Sequence, residues 1–244
     1  MTIQGTGHIF TRFDNEMQKL HGTVIKMGNM AIEQLAAAVT TLREEDTKHA
    51  HLVISNDAKL NQLDIEADDQ ITTIIAKRQP MARDLRELIA VGKIVAELER
   101  AGDEARKIAG LTIRFFESSS RTPNEEILGD IYSLSDYVSN MLTESMRSFD
   151  ELDLDRAGAV LNMGLKLDDQ LQTILRHLST FVMEDSRNVG NFVDIVLGIR
   201  ALERFGGHAK NIAGHIVFIK HGIDVRHAGT ESILKSLKEK TLDS

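Results

Sequence analysis

Four carboxylates stand at a spacing that can do chemistry: Asp64 and Asp68 are four residues apart, and so are Glu99 and Asp103. On a helix, residues four apart share a face and lie about 6 Å apart along the axis. Two such pairs on neighbouring helices bring four negative charges to one patch, where they repel. A multivalent cation relieves that repulsion, and all-oxygen ligation suits magnesium, calcium, manganese or iron rather than zinc held by soft ligands. The plainer reading is that these acids solvate exposed helix faces, with Arg100, Arg106 and Lys107 nearby as partners. Spacing alone favours the plainer reading.

Other chemistries find little support. The chain has no Cys, which removes disulfides, thiolate zinc sites and a Cys nucleophile. No Glu is followed three residues later by His, the motif that facing helices need for a di-iron centre. Neither a Gly-x-x-x-x-Gly-Lys-Ser/Thr loop nor a Gly-x-Ser-x-Gly elbow occurs, so neither nucleotide hydrolysis nor serine catalysis has a motif. His208 and His215, seven apart, can share a helix face, and solvated or core histidines are the economical reading. Met17, Met27, Met30 and Met141 lie on apolar stripes and read as core. A formal net charge of -8 opposes binding to nucleic acid or to anionic lipid. Apolar runs such as Leu88 to Val91 are too short to span a bilayer, and the polar start lacks a signal-peptide core. A soluble cytoplasmic protein, not an enzyme, is the expectation.

The elements that must position the acids are helices. With 2 Pro, no Trp and 5% aromatic residues, the chain is poor in strand formers and rich in Ala, Leu, Ile and Met. Leu20, Val24, Met27, Ala31, Leu35, Ala38 and Leu42 recur at steps of three and four and predict a helix from about Phe13 to Arg43. Asp46 is an N-cap for a second helix, with a stripe of Val53, Leu60, Leu63, Ala67, Ile71, Ile74 and Ile75 that ends before Gln79 and Pro80. Pro80 is expected to open the third helix, which runs to about Ser118. Ser118 to Arg121 reads as a linker, and Thr122, Pro123 and Glu125 as a capping box for a fourth helix reaching about Phe149. A fifth follows Asp153 or Asp155 and carries Val160, Leu167, Leu171, Ile174, Leu175 and Leu178. A sixth spans roughly Ser186 to His221, and residues 223–244 are expected to be a partly disordered extension. Glycines 28, 92, 102, 110, 164 and 198, inside helical patterns, suggest close approach of neighbouring helices.

The chain also repeats itself. A shift of 104 residues carries Leu98-Glu99-Arg100 onto Leu202-Glu203-Arg204, and it pairs Gly102 with Gly206, Ile108 with Ile212, Leu63 with Leu167, Asp64 with Asp168 and Arg83 with Arg187. Tandem duplication follows: an all-α chain of two pseudo-symmetric three-helix bundles, residues 1–120 and 121–222, with antiparallel sequential helices.

Ala76-Lys77-Arg78-Gln79-Pro80, Ala96 to Asp103, Met183-Glu184-Asp185-Ser186-Arg187 and Leu202-Glu203-Arg204-Phe205-Gly206 resemble, in the same order, the signature stretches of the PhoU family. The resemblance covers roughly Ile9 to Gly229. It implies two three-helix repeats, each with a Glu/Asp-x-x-x-Asp motif on its second and third helices where metal clusters can bind. The first repeat matches in full, with Asp64, Asp68, Glu99 and Asp103. The second keeps Asp168 and Glu203, but Gln172 and Gly207 stand where acids are expected. Cation binding is therefore expected to be weaker at the second repeat, which equal occupancy of both sites in a metal titration would contradict. Iron, manganese, magnesium or zinc are the cations this resemblance admits, with no metal required as the other reading.

The resemblance further implies a negative regulator of phosphate uptake and of the phosphate-starvation response. Its partners would be the ATPase of a phosphate ABC transporter and a phosphate-sensing histidine kinase. A homodimer is expected, reaching the inner membrane only through protein partners. The alternatives are a metal-binding or metal-storage helical protein and a metal-dependent enzyme using the first-repeat acids.

Overall fold

A computed structural model describes residues 6–118, 125–184 and 189–222. Among the described residues there are six long helices and no strand: α1 (Thr6–Arg43), α2 (Thr47–Arg78), α3 (Arg83–Ile113), α4 (Glu125–Glu151), α5 (Leu154–Glu184) and α6 (Val189–His221). A π-helical turn, Arg114–Ser118, prolongs α3. Helices α1 to α3 pack on one another, and so do α4 to α6. The two bundles are joined mainly by α3 against α6, and secondarily by α1 against α4.

The apolar stripes account for this packing. All seven residues of the α1 stripe, from Leu20 to Leu42, are buried. So are Val53, Leu60, Leu63, Ala67 and Ile74 of α2, and Val160, Leu167, Leu171 and Leu178 of α5. Ile71, Ile174 and Leu175 are half-buried against the core, and Ile75 is the one exposed residue of these stripes. It follows Ile74 by about 100° around the helix, leaves the buried face and is exposed. Met27 and Met141 are fully buried, and Met17 and Met30 pack against the core.

The caps are local chemistry. Asp46 accepts a hydrogen bond from the His49 amide at 2.9 Å and starts α2. Asp153 does the same for α5, with Oδ1 accepting from the amides of Asp155 and Arg156. Pro80 does not open α3. Gln79 turns left-handed (φ 48°) while its amide caps α2 on the Ile75 carbonyl, and Ala82 is also at positive φ (49°), so the chain reverses around Pro80 before the helix begins at Arg83. The expected linker tip and capping box at 119–124, the start of the sixth helix before Val189, and the extension at 223–244 lie outside the described residues.

Glycine marks the closest approaches. A Cβ on Gly28 would lie 2.6 Å from Met146 Cε, one on Gly102 would collide with Leu60, and one on Gly198 would collide with Leu111. Gly92 and Gly110 are less tightly approached, each with one side-chain atom at 3.4 Å.

Candidate acidic site and the joint between repeats

Across the α2–α3 packing the charge of Asp64 acts on Glu99, as does that of Asp103 on the same helix, whereas Asp68 acts on Asp64 along α2. Asp64, Glu99 and Asp103 are half-buried and Asp68 is exposed. Burial pushes the Glu99 carboxyl above its ordinary pKa, and the charges of Asp103, Asp64 and Asp57 push it further. Asp64 is raised by burial and then by Asp68. Burial is the larger cause of both shifts, and neighbouring carboxylates add to it. Among the described residues, however, no three carboxylates or imidazoles converge closely enough to hold one metal ion as the side chains stand. The donor set suits an oxygen-loving cation in chemistry; the present rotamers do not.

The acid spacing does not single out Asp57. It sits seven residues before Asp64 on α2, is buried, and accepts a hydrogen bond from Gln34 Nε2 of α1 at 2.9 Å. Arg106 Nη2 donates to Asp103 Oδ1 at 2.7 Å, and its Nε lies 3.3 Å from Asp57 Oδ2. Arg106 is thus a partner of the patch, in keeping with the plainer reading of the spacing.

In the second repeat Asp168 and Gln172 are exposed, and Glu203 accepts from Arg200 at 2.6 Å. A Cβ on Gly207 would meet nothing within 4 Å, so no packing demand explains the missing side chain there.

A second charged cluster lies between the repeats. Arg204 of α6 forks onto Glu104 of α3 with hydrogen bonds of 2.8 and 2.9 Å, and Lys107 donates to the same carboxylate at 2.8 Å. Seven residues earlier on α3, Glu97 Oε2 lies 2.6 Å from His208 Nδ1 and accepts from Asn211 at 3.2 Å. Burial raises both carboxyls, yet both end below the ordinary glutamate value: His208 and Asn211 outweigh it at Glu97, and Arg204 and Lys107 outweigh it at Glu104. His208 therefore has a carboxylate partner, and the buried His215 acts electrostatically on Glu97. The available signal is two glutamates seven apart in register with the apolar stripe of Ile94, Leu98, Ala101, Ala105 and Ile108, where a buried carboxylate calls for partners.

A duplicated three-helix unit, an acidic patch on one copy and a charged joint between the copies define a tandem-repeat helical protein. The chain belongs to the PhoU family: the model of the PhoU domain matches twice, at residues 24–112 and 131–216. A phosphate-specific transport system accessory protein PhoU homolog of Pseudomonas putida is 35% identical over 224 residues, covering 92% of this chain and 86% of that protein. The phosphate-specific transport system accessory protein PhoU of Escherichia coli strain K12 is 33% identical over 236 residues, covering 97% and 96%. The crystal structure of PhoU from Pseudomonas aeruginosa superposes with a TM-score of 0.81 at 33% identity, covering 86% of this chain and 100% of that one.

Proposed function

We propose that this protein is an accessory regulator of phosphate transport that restrains phosphate uptake and the phosphate-starvation response. It acts as an adaptor between the ATPase of a phosphate ABC transporter and a phosphate-sensing histidine kinase. The observation that carries this reading is the relationship along nearly the whole chain to accessory proteins of the phosphate-specific transport system. Such an adaptor works through contact surfaces, which suits a pair of helical bundles packed through α3 and α6.

Among the described residues no helix is long and apolar enough to cross a membrane. The proposal extends to a cytoplasmic homodimer drawn to the inner membrane by its partners. Cation binding at Asp64, Asp68, Glu99 and Asp103 belongs to the same proposal, with no catalytic step attached to it.

Deleting the gene tests the reading. Phosphate-starvation genes should be expressed in high phosphate and silenced again by the intact gene, and tagged protein should capture the transporter ATPase and the kinase. Silent starvation genes in the deletion strain, with neither partner captured, would overturn it.

A further inference from the structure

Arg106 stands where it competes with any cation for the first-repeat patch. Its guanidinium reaches Asp103 on its own helix and Asp57 on α2, and Asp57 is held from the other side by Gln34 of α1. Arg106 Nε is enclosed and faces Asp57 off the hydrogen-bond axis, so that contact is a charge pair rather than a hydrogen bond. The charges of Asp103, Asp57 and Glu99 all act on this one guanidinium.

The second repeat supplies an internal comparison. Under the 104-residue shift Asp57 becomes Leu161, Asp103 becomes Gly207 and Arg106 becomes Lys210. The Lys210 aliphatic chain packs over Gly164 instead of reaching a carboxylate patch. The forked cation is present in the repeat that has acids to balance, and absent where both acids are gone.

We propose that Arg106 is the resident cation of the first-repeat patch, balancing Asp57 and Asp103, so that a divalent cation is taken up there only as the guanidinium withdraws. This rests on reading the patch as a cation site. The geometry gives that reading a gate: Arg106 already holds Asp103 Oδ1, an oxygen of the acid set a metal would draw on, and one unit of positive charge repels the other at contact distance.

Manganese titration of the chelator-treated full-length protein, followed by the electron paramagnetic resonance signal of free Mn2+, tests it. Arg106→Gln should bind Mn2+ about tenfold more tightly than the wild type, the effect of removing one adjacent positive charge. Asp103→Asn in the same background should cancel the gain. Arg106→Lys keeps the charge but loses the fork that spans two carboxylates, and should raise affinity by about threefold. If Arg106→Gln fails to fold by circular dichroism, Arg106→Lys carries the test alone. Equal Mn2+ affinity in wild type and variants would overturn the role of Arg106 and leave the cation site standing. No uptake by the wild type or by any Arg106 variant would overturn both.

Discussion

Replacing Arg204 with Gln isolates the joint between the two repeats. Glu104 is 5% exposed, and Arg204 supplies two of its three charged hydrogen bonds. Removing one partner of a fully buried pair costs about 3–5 kcal/mol. Here the Arg204 side chain is 47% exposed, so solvent screens the pair and enters when the guanidinium leaves, and Lys107 stays on the carboxylate. The expected loss is therefore about 1–2 kcal/mol. In a chain of this length that lowers the melting temperature by about 4 °C. Adding Glu104→Gln to Arg204→Gln removes the stranded charge and should recover about half of the loss, so the two substitutions are strongly non-additive.

Urea unfolding by circular dichroism of the wild type, both single variants and the double variant measures this coupling. The pH dependence supplies an independent sign. A carboxyl held below its ordinary value stabilises the fold above the unfolded pKa, near 4.5, and that contribution is lost as pH falls through the folded value. The Arg204→Gln penalty should be complete at neutral pH and shrink below about 4.5. A penalty under about 0.3 kcal/mol, or simple additivity, would refute the assignment of Glu104 and Arg204 as a stabilising joint.

Adjacent glycines give a test of packing. Gly206→Ala puts a Cβ 2.6 Å from Leu167 Cδ2 and 3.0 Å from Val138 Cγ1, and should cost about 1–3 kcal/mol. Gly207→Ala meets nothing within 4 Å and should gain about 0.5–1 kcal/mol from helix propensity; melting temperatures moving in the same direction would contradict this. His177 of α5 lies 2.6 Å from Asp130 of α4, and that hydrogen bond, helped by Glu126, lifts its pKa above 6.5 despite partial desolvation. A raised histidine stabilises the fold fully below the unfolded pKa and loses that contribution as pH rises through the folded value. Magnetic resonance titration should place the wild-type ring above 6.5 and return it toward that value in Asp130→Asn, whereas an unshifted wild-type ring would refute the α4–α5 latch.

Features set by local sequence are legible in residue type and spacing alone. The α1 stripe, the Asp46 and Asp153 caps and the 104-residue shift depend on neighbours within one or two turns, or on comparing the chain with itself. Ile75 departs from its stripe because apolar type does not carry angle, and it falls one residue past the buried face. Pro80 is ambiguous because a proline can precede a helix as well as open it; the left-handed Gln79 and Ala82 on either side decide the outcome and leave no mark in residue type. The acidic patch is legible as paired acids, but its fifth carboxylate, Asp57, is hidden because its partners are Gln34 and Arg106 on other helices. Glu97 and Glu104 are harder still, since their partners on α6 are 111 and 100 residues away in sequence.

Asp103 and Glu104 are sequence neighbours that look in different directions. About 100° of helix rotation separates them, so Asp103 turns to Arg106 and the α2 acids while Glu104 turns to Arg204 of α6. The turn that carries half of the acidic patch is therefore also a bearing of the joint. The 104-residue shift places Gly207 and His208 at the corresponding positions, so the second repeat lacks both carboxylates at once. The joint is consequently polarised: its buried acids, Glu97 and Glu104, come from α3, and their forked or imidazole partners, Arg204 and His208, come from α6. Two first repeats docked in this manner would set Glu104 where His208 stands, opposite Glu97, acid against acid, although Arg100 would stand in for Arg204. Two second repeats would oppose Arg204 and His208 without a carboxylate. Divergence of the two copies has thus made their mutual packing better matched than either copy's packing with itself, which favours the intrachain pairing over exchange between chains.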